Sequence, residues 1–148
     1  MNEEIRLREE TDHAAFTELY RASRLEIEEG WENDCRPVFS VSARQGDDLL
    51  GAATVSRRFE RLVLDYVAVR PEFRVKGLGR RLVEVCTDYA RRQGEEKLWL
   101  AARTPGFFRA IGAAETGGTE LIGECLGCPD YGKECHPVEM VIKNSGKE

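Results

Sequence analysis

No apolar run in this sequence approaches the roughly 18–20 residues that a membrane-crossing helix needs, so no membrane partner is expected. The first residues, Met1 to Arg6, are charged and lack the apolar stretch of a secretory signal, which makes a cytoplasmic protein the expectation. Linkers, internal repeats and low-complexity segments are also missing, so the 148 residues read as a single domain over 1–148. An excess of positive charge is missing as well. The net charge is −5, whereas binding to nucleic acid rests on Lys and Arg neutralising phosphates, so no nucleic-acid partner is expected. What is present is 41% apolar and 33% charged residues, a balance that builds a packed core rather than a disordered chain.

Hydrophobic periodicity places the elements. Ile5 and Leu7 alternate with Arg6 and Arg8 as a short strand. Thr11 is the expected cap of a helical region that carries Ala15, Phe16, Leu19, Leu25 and Ile27, broken near Ser23. Residues 38–57 read as a hairpin turning at Gln45 to Asp48. Leu62 to Val69 is apolar on both faces, as a central strand requires, and Pro71 ends it by removing a ladder donor. From Gly77 to Gln93 the period becomes helical, with Leu78, Leu82, Val85, Cys86 and Tyr89 on one face and Gly94 as the stop. Lys97 to Ala101 is a strand and Pro105 to Ile111 a short helix ended by Gly112. Strands are expected at 119–122 and 138–142, and the last few residues, from Ser145, as a frayed tail. The order implies an α+β (mixed α/β) domain around one core.

Charge and glycine coincide in one place. Between Arg70 and Arg81 stand five basic residues and one acid, Glu72. The bland interpretation is a solvated helix start. The glycines of Arg74-Val75-Lys76-Gly77-Leu78-Gly79 favour a small anionic ligand instead. A helix beginning near Gly77 leaves its first N–H groups without intrahelical partners, at the positive end of the helix dipole. Gly77 and Gly79 let the backbone come close to a phosphate, with Arg74, Lys76 and Arg80 around it. A P-loop would read Gly-x-x-x-x-Gly-Lys-Ser/Thr, which is absent. A dinucleotide fingerprint needs a third glycine where Leu82 stands.

The stretch from Leu64 to Leu82 resembles the acetyl-CoA-binding motif of the GNAT superfamily of N-acetyltransferases, Arg/Gln-x-x-Gly-x-Gly/Ala after a strand and opening a helix. Pro105 to Gly112 is similar to the superfamily's next helix, commonly Tyr-x-x-x-Gly-Phe, and the element order matches over roughly residues 3–143. The resemblance implies a central, mostly antiparallel sheet of six or seven strands, splayed at two central parallel strands and flanked by about four helices. It implies acetyl-CoA as cosubstrate, entering the gap between strands 62–69 and 97–101. Backbone of Val67, Ala68 and Val69 would pair with the pantetheine arm. Backbone of Arg74, Val75, Lys76, Gly77, Leu78, Gly79 and Arg80 would hold the pyrophosphate. Ordinary core packing of Val67 and Val69 is compatible with this, because the implied contacts use main chain.

The reaction implied is attack of a neutral primary amine of a small molecule, amino acid or peptide on the acetyl thioester. An ordinary alkyl ammonium has a pKa near ~10.4, so a base or a water-linked site must take its proton. Asp65, an acid in an apolar strand, and Glu60 are candidate bases; the alternative for Asp65 is a hydrogen-bonded position near the strand edge. Glu72 is expected to face solvent. A backbone N–H of the splayed strand, with Val69 as the candidate, would receive the oxyanion. The family's usual acid is the Tyr of Tyr-x-x-x-Gly, and Phe108 holds that place here. Water, Tyr131 or unaided departure of the thiolate are the alternatives. Phe108 also leaves a non-catalytic acyl-CoA-binding or sensing module as a competing function.

Cys125-x-x-Cys128, Cys135 and His136 lie within a cysteine-rich loop at 124–137. They could complete a tetrahedral Cys3His zinc site, with His13, Asp130 or water as other fourth ligands. A redox pair and unliganded thiols are the alternatives, as is a zinc-stabilised protein-interaction domain. Trp31, Glu32, Asp34 and Cys35 fall where the resemblance implies the acceptor, and homodimers are frequent in such folds.

Overall fold

The computed structural model describes residues 4–22, 37–58, 60–102, 105–118 and 138–143. Seven strands among them form one sheet: β1 (Ile5–Glu9), β2 (Pro37–Gln45), β3 (Asp48–Arg58), β4 (Arg61–Val69), β5 (Lys97–Ala102), β6 (Ala114–Glu115) and β7 (Val138–Lys143). Their order is β1-β2-β3-β4-β5-β7-β6, and all neighbours are antiparallel except β4 and β5. The expected mixed sheet with a central parallel pair is therefore present. Three of the roughly four expected helices fall in the described residues: α1 (His13–Ala22), α2 (Leu78–Arg92) and α3 (Pro105–Ala110). A 3-10 segment, Pro71–Lys76, leads into α2.

The helices cover opposite faces of the sheet. Leu78, Leu82, Val83, Cys86 and Ala90 of α2 join Val41, Val55, Leu62, Leu64, Leu98, Leu100 and Met140 in the larger core. Phe39 and Tyr89 stack there with centroids 4.4 Å apart. On the other face Phe16, Leu19 and Tyr20 of α1 pack on Leu49, Ala52 and Ala68. The two-sided burial of β4 follows from this sandwiching: Leu62 and Leu64 serve one core, Ala68 the other.

Two details differ from the sequence expectation, and two expected segments fall outside the described residues. The cap of α1 is Asp12, not Thr11: its Oδ1 accepts the N–H of Ala15 at 3.2 Å, and its carbonyl that of Phe16. Both residues are good caps, and only the N–H they meet decides between them. β6 was not expected; two residues are too short to show a period. The anticipated strand at 119–122 and helical residues beyond Ala22 lie outside the described residues.

Candidate functional site

The parallel ladder between β4 and β5 contains just two pairs, Val63–Trp99 and Leu64–Leu100. Beyond Leu64 the strands part, while β4 stays joined to β3 up to Val69 opposite Gly51. The cause is local. Leu64 stands opposite Val55 and Tyr66 opposite Thr54, so Asp65 is the extra residue of a β-bulge. A bulge bends its strand and raises its twist. Here the bulge falls one residue past Leu64, at the point where β4 leaves β5, with Val67 and Ala68 just beyond it.

At the end of β4 Arg70 reverses the chain. Its N–H meets the carbonyl of Leu50 at 2.8 Å, and its Nε that of Leu49 at 2.7 Å. The 3-10 segment then runs to Gly77, whose φ of 74° is left-handed and suits glycine. Gly77 precedes α2 without any side chain capping the helix. The first intrahelical bond is donated by Arg81 to the Gly77 carbonyl at 3.1 Å, so the N–H groups at the helix start face outward. Leu78 and Gly79 are buried while Arg80 is exposed and pairs with Glu84 at 3.4 Å. The backbone of Arg74, Val75 and Lys76 belongs to the 3-10 segment. Their side chains lie outside what is described. This arrangement can bind anionic oxygens through main-chain donors and the helix dipole together.

Helix α3 closes the far side. The N–H groups of Gly112 and Ala113 return to the carbonyls of Arg109 and Phe108, with Gly112 at φ 103°. This ending fixes how α3 is rotated. Phe108 turns into the core and is 9% exposed, whereas Phe107 is 39% exposed and meets Phe108 edge-on at 4.9 Å. The Phe107 ring lies over Gly79 of α2.

Asp65 and Tyr66 stand on the α1 side of the gap. Tyr66 stacks on Tyr20 with centroids 5.0 Å apart, and the Tyr20 hydroxyl shares a hydrogen bond with Thr54 at 2.8 Å. Burial pushes the Tyr20 phenol well above its ordinary pKa, with Cys86, Tyr66 and Asp65 adding to the rise. Burial likewise raises the Cys86 thiol, which sits in the core and stays protonated. Glu60, the other candidate base, occupies the β3–β4 turn with φ 61° and is exposed, at the end of β4 away from the gap. It is not part of the site. Glu72 is exposed, as expected.

This chain matches the acetyltransferase (GNAT) family over residues 5–135. The chain belongs to the acetyltransferase (GNAT) family. Among curated relatives, streptothricin acetyltransferase of Streptomyces lavendulae is 39% identical over 74 residues, which are 49% of this chain and 38% of that protein. The fold is similar to N-acetylglutamate synthase from Neisseria gonorrhoeae, a structure complexed with coenzyme A and N-acetyl-glutamate: TM-score 0.72, 18% identity, 95% of this chain and 35% of that one. It is also similar to a GNAT acetyltransferase from Elizabethkingia anophelis with acetyl-CoA bound: TM-score 0.71, 14% identity, 95% and 98% of the two chains. The chain thus spans little more than a third of the first relatives' own length.

Within this GNAT chain the folded molecule brings Asp65, Val67, Ala68, Val69 and the 74–80 backbone to one end of the β4–β5 pair. Phe108 is near but buried. Tyr131, Cys125, Cys128, Cys135, His136, Trp31, Glu32, Asp34 and Cys35 lie outside the described residues, as does the side chain of His13. Among the described residues no group of His, Cys, Asp and Glu is arranged to hold a metal. Sequence reasoning missed Tyr20 and Thr54. The signal for Tyr20 was available, four residues after Phe16 on the same helical face.

Proposed function

We propose that this protein transfers an acetyl group from acetyl-CoA to a primary amine by direct attack. The observation that supports it best is the parting of β4 and β5 beyond Leu64–Leu100, immediately before an uncapped helix start at Gly77. A pantetheine arm laid along Val67 and Ala68 takes the place of the missing parallel strand. The pyrophosphate then lies at the N–H groups of the 74–80 backbone.

The amine reaches the thioester from the α1 side, where Asp65 stands at the bulge. Asp65 accepts the ammonium proton, and the freed lone pair forms the new C–N bond. The carbonyl oxygen becomes an oxyanion held by a main-chain N–H of β4, with Val69 as the candidate. The C–S bond then breaks and the electron pair leaves with sulfur. Phe108 cannot donate a proton, and its burial turns it away from such a role. The nitrogen sheds its second proton as the amide forms, and water relays that proton to the departing thiolate.

Release of free thiol from acetyl-CoA across a panel of amines tests the activity. Streptothricin belongs in that panel because of the 39% identity to an enzyme named for it. Melting with acetyl-CoA, with coenzyme A and with neither tests the cofactor; no rise with either ligand sinks the proposal. Binding without thiol release from any amine favours the acyl-CoA sensing module that Phe108 suggests. The spacing of Cys125, Cys128, Cys135 and His136 supports an ancillary zinc site, and metal analysis of chelator-free protein decides it.

A further inference from the structure

Tyr20 is fully buried, yet it carries a hydroxyl that phenylalanine would spare the core. Its contacts explain why it is there. The hydroxyl bonds Thr54 Oγ1 at 2.8 Å, and the ring stacks on Tyr66 at 5.0 Å with an interplanar angle of 26°. Thr54 on β3 and Tyr66 on β4 are opposite one another, and they form the last regular pair before the register shift that ejects Asp65. Helix α1 therefore grips both strands at the bulge with a single side chain. Thr54 Oγ1 is also 3.3 Å from Ser40 Oγ, which ties the grip to β2.

We infer that Tyr20 is a positioning residue. It locks the β-bulge at Asp65, and so sets where β4 leaves β5 and where the Asp65 carboxylate points. The role rests on the acetyl-transfer reading only for its effect on rate; the lock itself is a property of the fold. A bulge is held by little besides its flanking pairs, since the ladder is interrupted there. Fixing one residue on each strand removes the register freedom that remains.

The test uses the full chain with Tyr20→Phe, Thr54→Val and Thr54→Ser. Tyr20→Phe keeps the ring stack, and Thr54 keeps Ser40 as a partner, so the variant folds. Amide hydrogen exchange is read along β4, with thiol release measured in parallel. In Tyr20→Phe, exchange at Asp65 and Tyr66 is expected to rise at least about tenfold while Leu62 to Leu64 hold their wild-type rates. The kcat is expected to fall about tenfold to a hundredfold with KM for acetyl-CoA unchanged. Thr54→Val reproduces both effects, and Thr54→Ser restores both. Unchanged exchange at the bulge overturns the inference. So does a uniform rise along β4 with a lower melting temperature, which marks a merely structural role, or local loosening that leaves kcat intact. If the wild-type protein releases no thiol with any amine, the acetyl-transfer reading fails, and exchange alone still decides the lock.

Discussion

Cζ of the Phe107 ring lies 3.1 Å from the place a Cβ on Gly79 would occupy. The same construction on Gly77 meets nothing within 4 Å, but Gly77 has φ 74°. Two glycines of one loop are thus required for different reasons, one for space and one for conformation. Gly77→Ala should cost about 1–2 kcal/mol through the left-handed backbone, with no clash. Gly79→Ala should cost less than about 1 kcal/mol, because a half-exposed ring can swing aside. Gly79→Val should abolish the rise in melting temperature that acetyl-CoA gives, because the larger side chain crowds the helix start. Melting curves with and without acetyl-CoA measure all three; equal behaviour of the two alanine variants would count against this division.

Phe107 and Phe108 are adjacent in sequence but differ in what they hold. Phe108→Ala removes a core side chain and should destabilise by about 3–5 kcal/mol. Phe107→Ala should cost no more than about 1 kcal/mol, since its ring is partly in water. Urea titration separates them. If the thiolate leaves without a tyrosine acid, the kcat profile should also lack a descending limb near pH ~10, and a limb there would point to Tyr131 as the acid.

What could be read from the sequence divides along a physical line. The run Leu62 to Val69 announces a central strand because both its faces are apolar. Gly77 and Gly79 after Pro71 announce the loop, because backbone conformation is written in residue type. The mixed sheet followed from the element order, whereas its parallel pair was implied only by the resemblance to the GNAT superfamily. The bulge at Asp65 was not legible, because it depends on how β3 registers against β4, a relation between distant segments. For the same reason Phe108 was placed as the residue standing in for an acid. Whether it faces the gap or the core is set by the rotation of α3, which its ending at Gly112 fixes. Glu60 was the second candidate base in the sequence, and its place in the β3–β4 turn sets it four strand residues away from Asp65.

Glu10 gives the fold a specific sensitivity to acid. Its carboxylate takes two bonds from Arg44, Nε and one Nη each at 2.8 Å, and a further bond from the Ser42 hydroxyl. The Arg44 bonds chiefly lower its pKa from 4.5 to about 2, against the opposing effect of burial, and Arg44 is raised in turn. A carboxylate lowered in the folded state contributes stability above its unfolded pKa, near ~4.3, and loses it as pH falls toward the folded value. Glu10→Gln should therefore melt below wild type at pH 6, and the difference should shrink between pH 5 and 2. A gap that stays constant over this range would show that the charge is not responsible.

Asp65 is where fold and chemistry meet, and its replacement is the sharpest test of the mechanism. Asp65→Asn keeps the size of the side chain and its place in the bulge but removes the proton acceptor. If Asp65 takes the ammonium proton, kcat at neutral pH should fall by about 10²–10⁴-fold. KM for acetyl-CoA should not move, because the proposed cofactor contacts lie in the main chain of Val67 and Ala68 and at the helix start. The deficit should narrow for acceptors with lower amine pKa, since a larger fraction of such an amine arrives neutral and needs no base. Thiol release with a series of amines of graded pKa measures this directly. A variant as active as wild type on the most basic amine would remove Asp65 from the reaction and leave deprotonation to water in the gap.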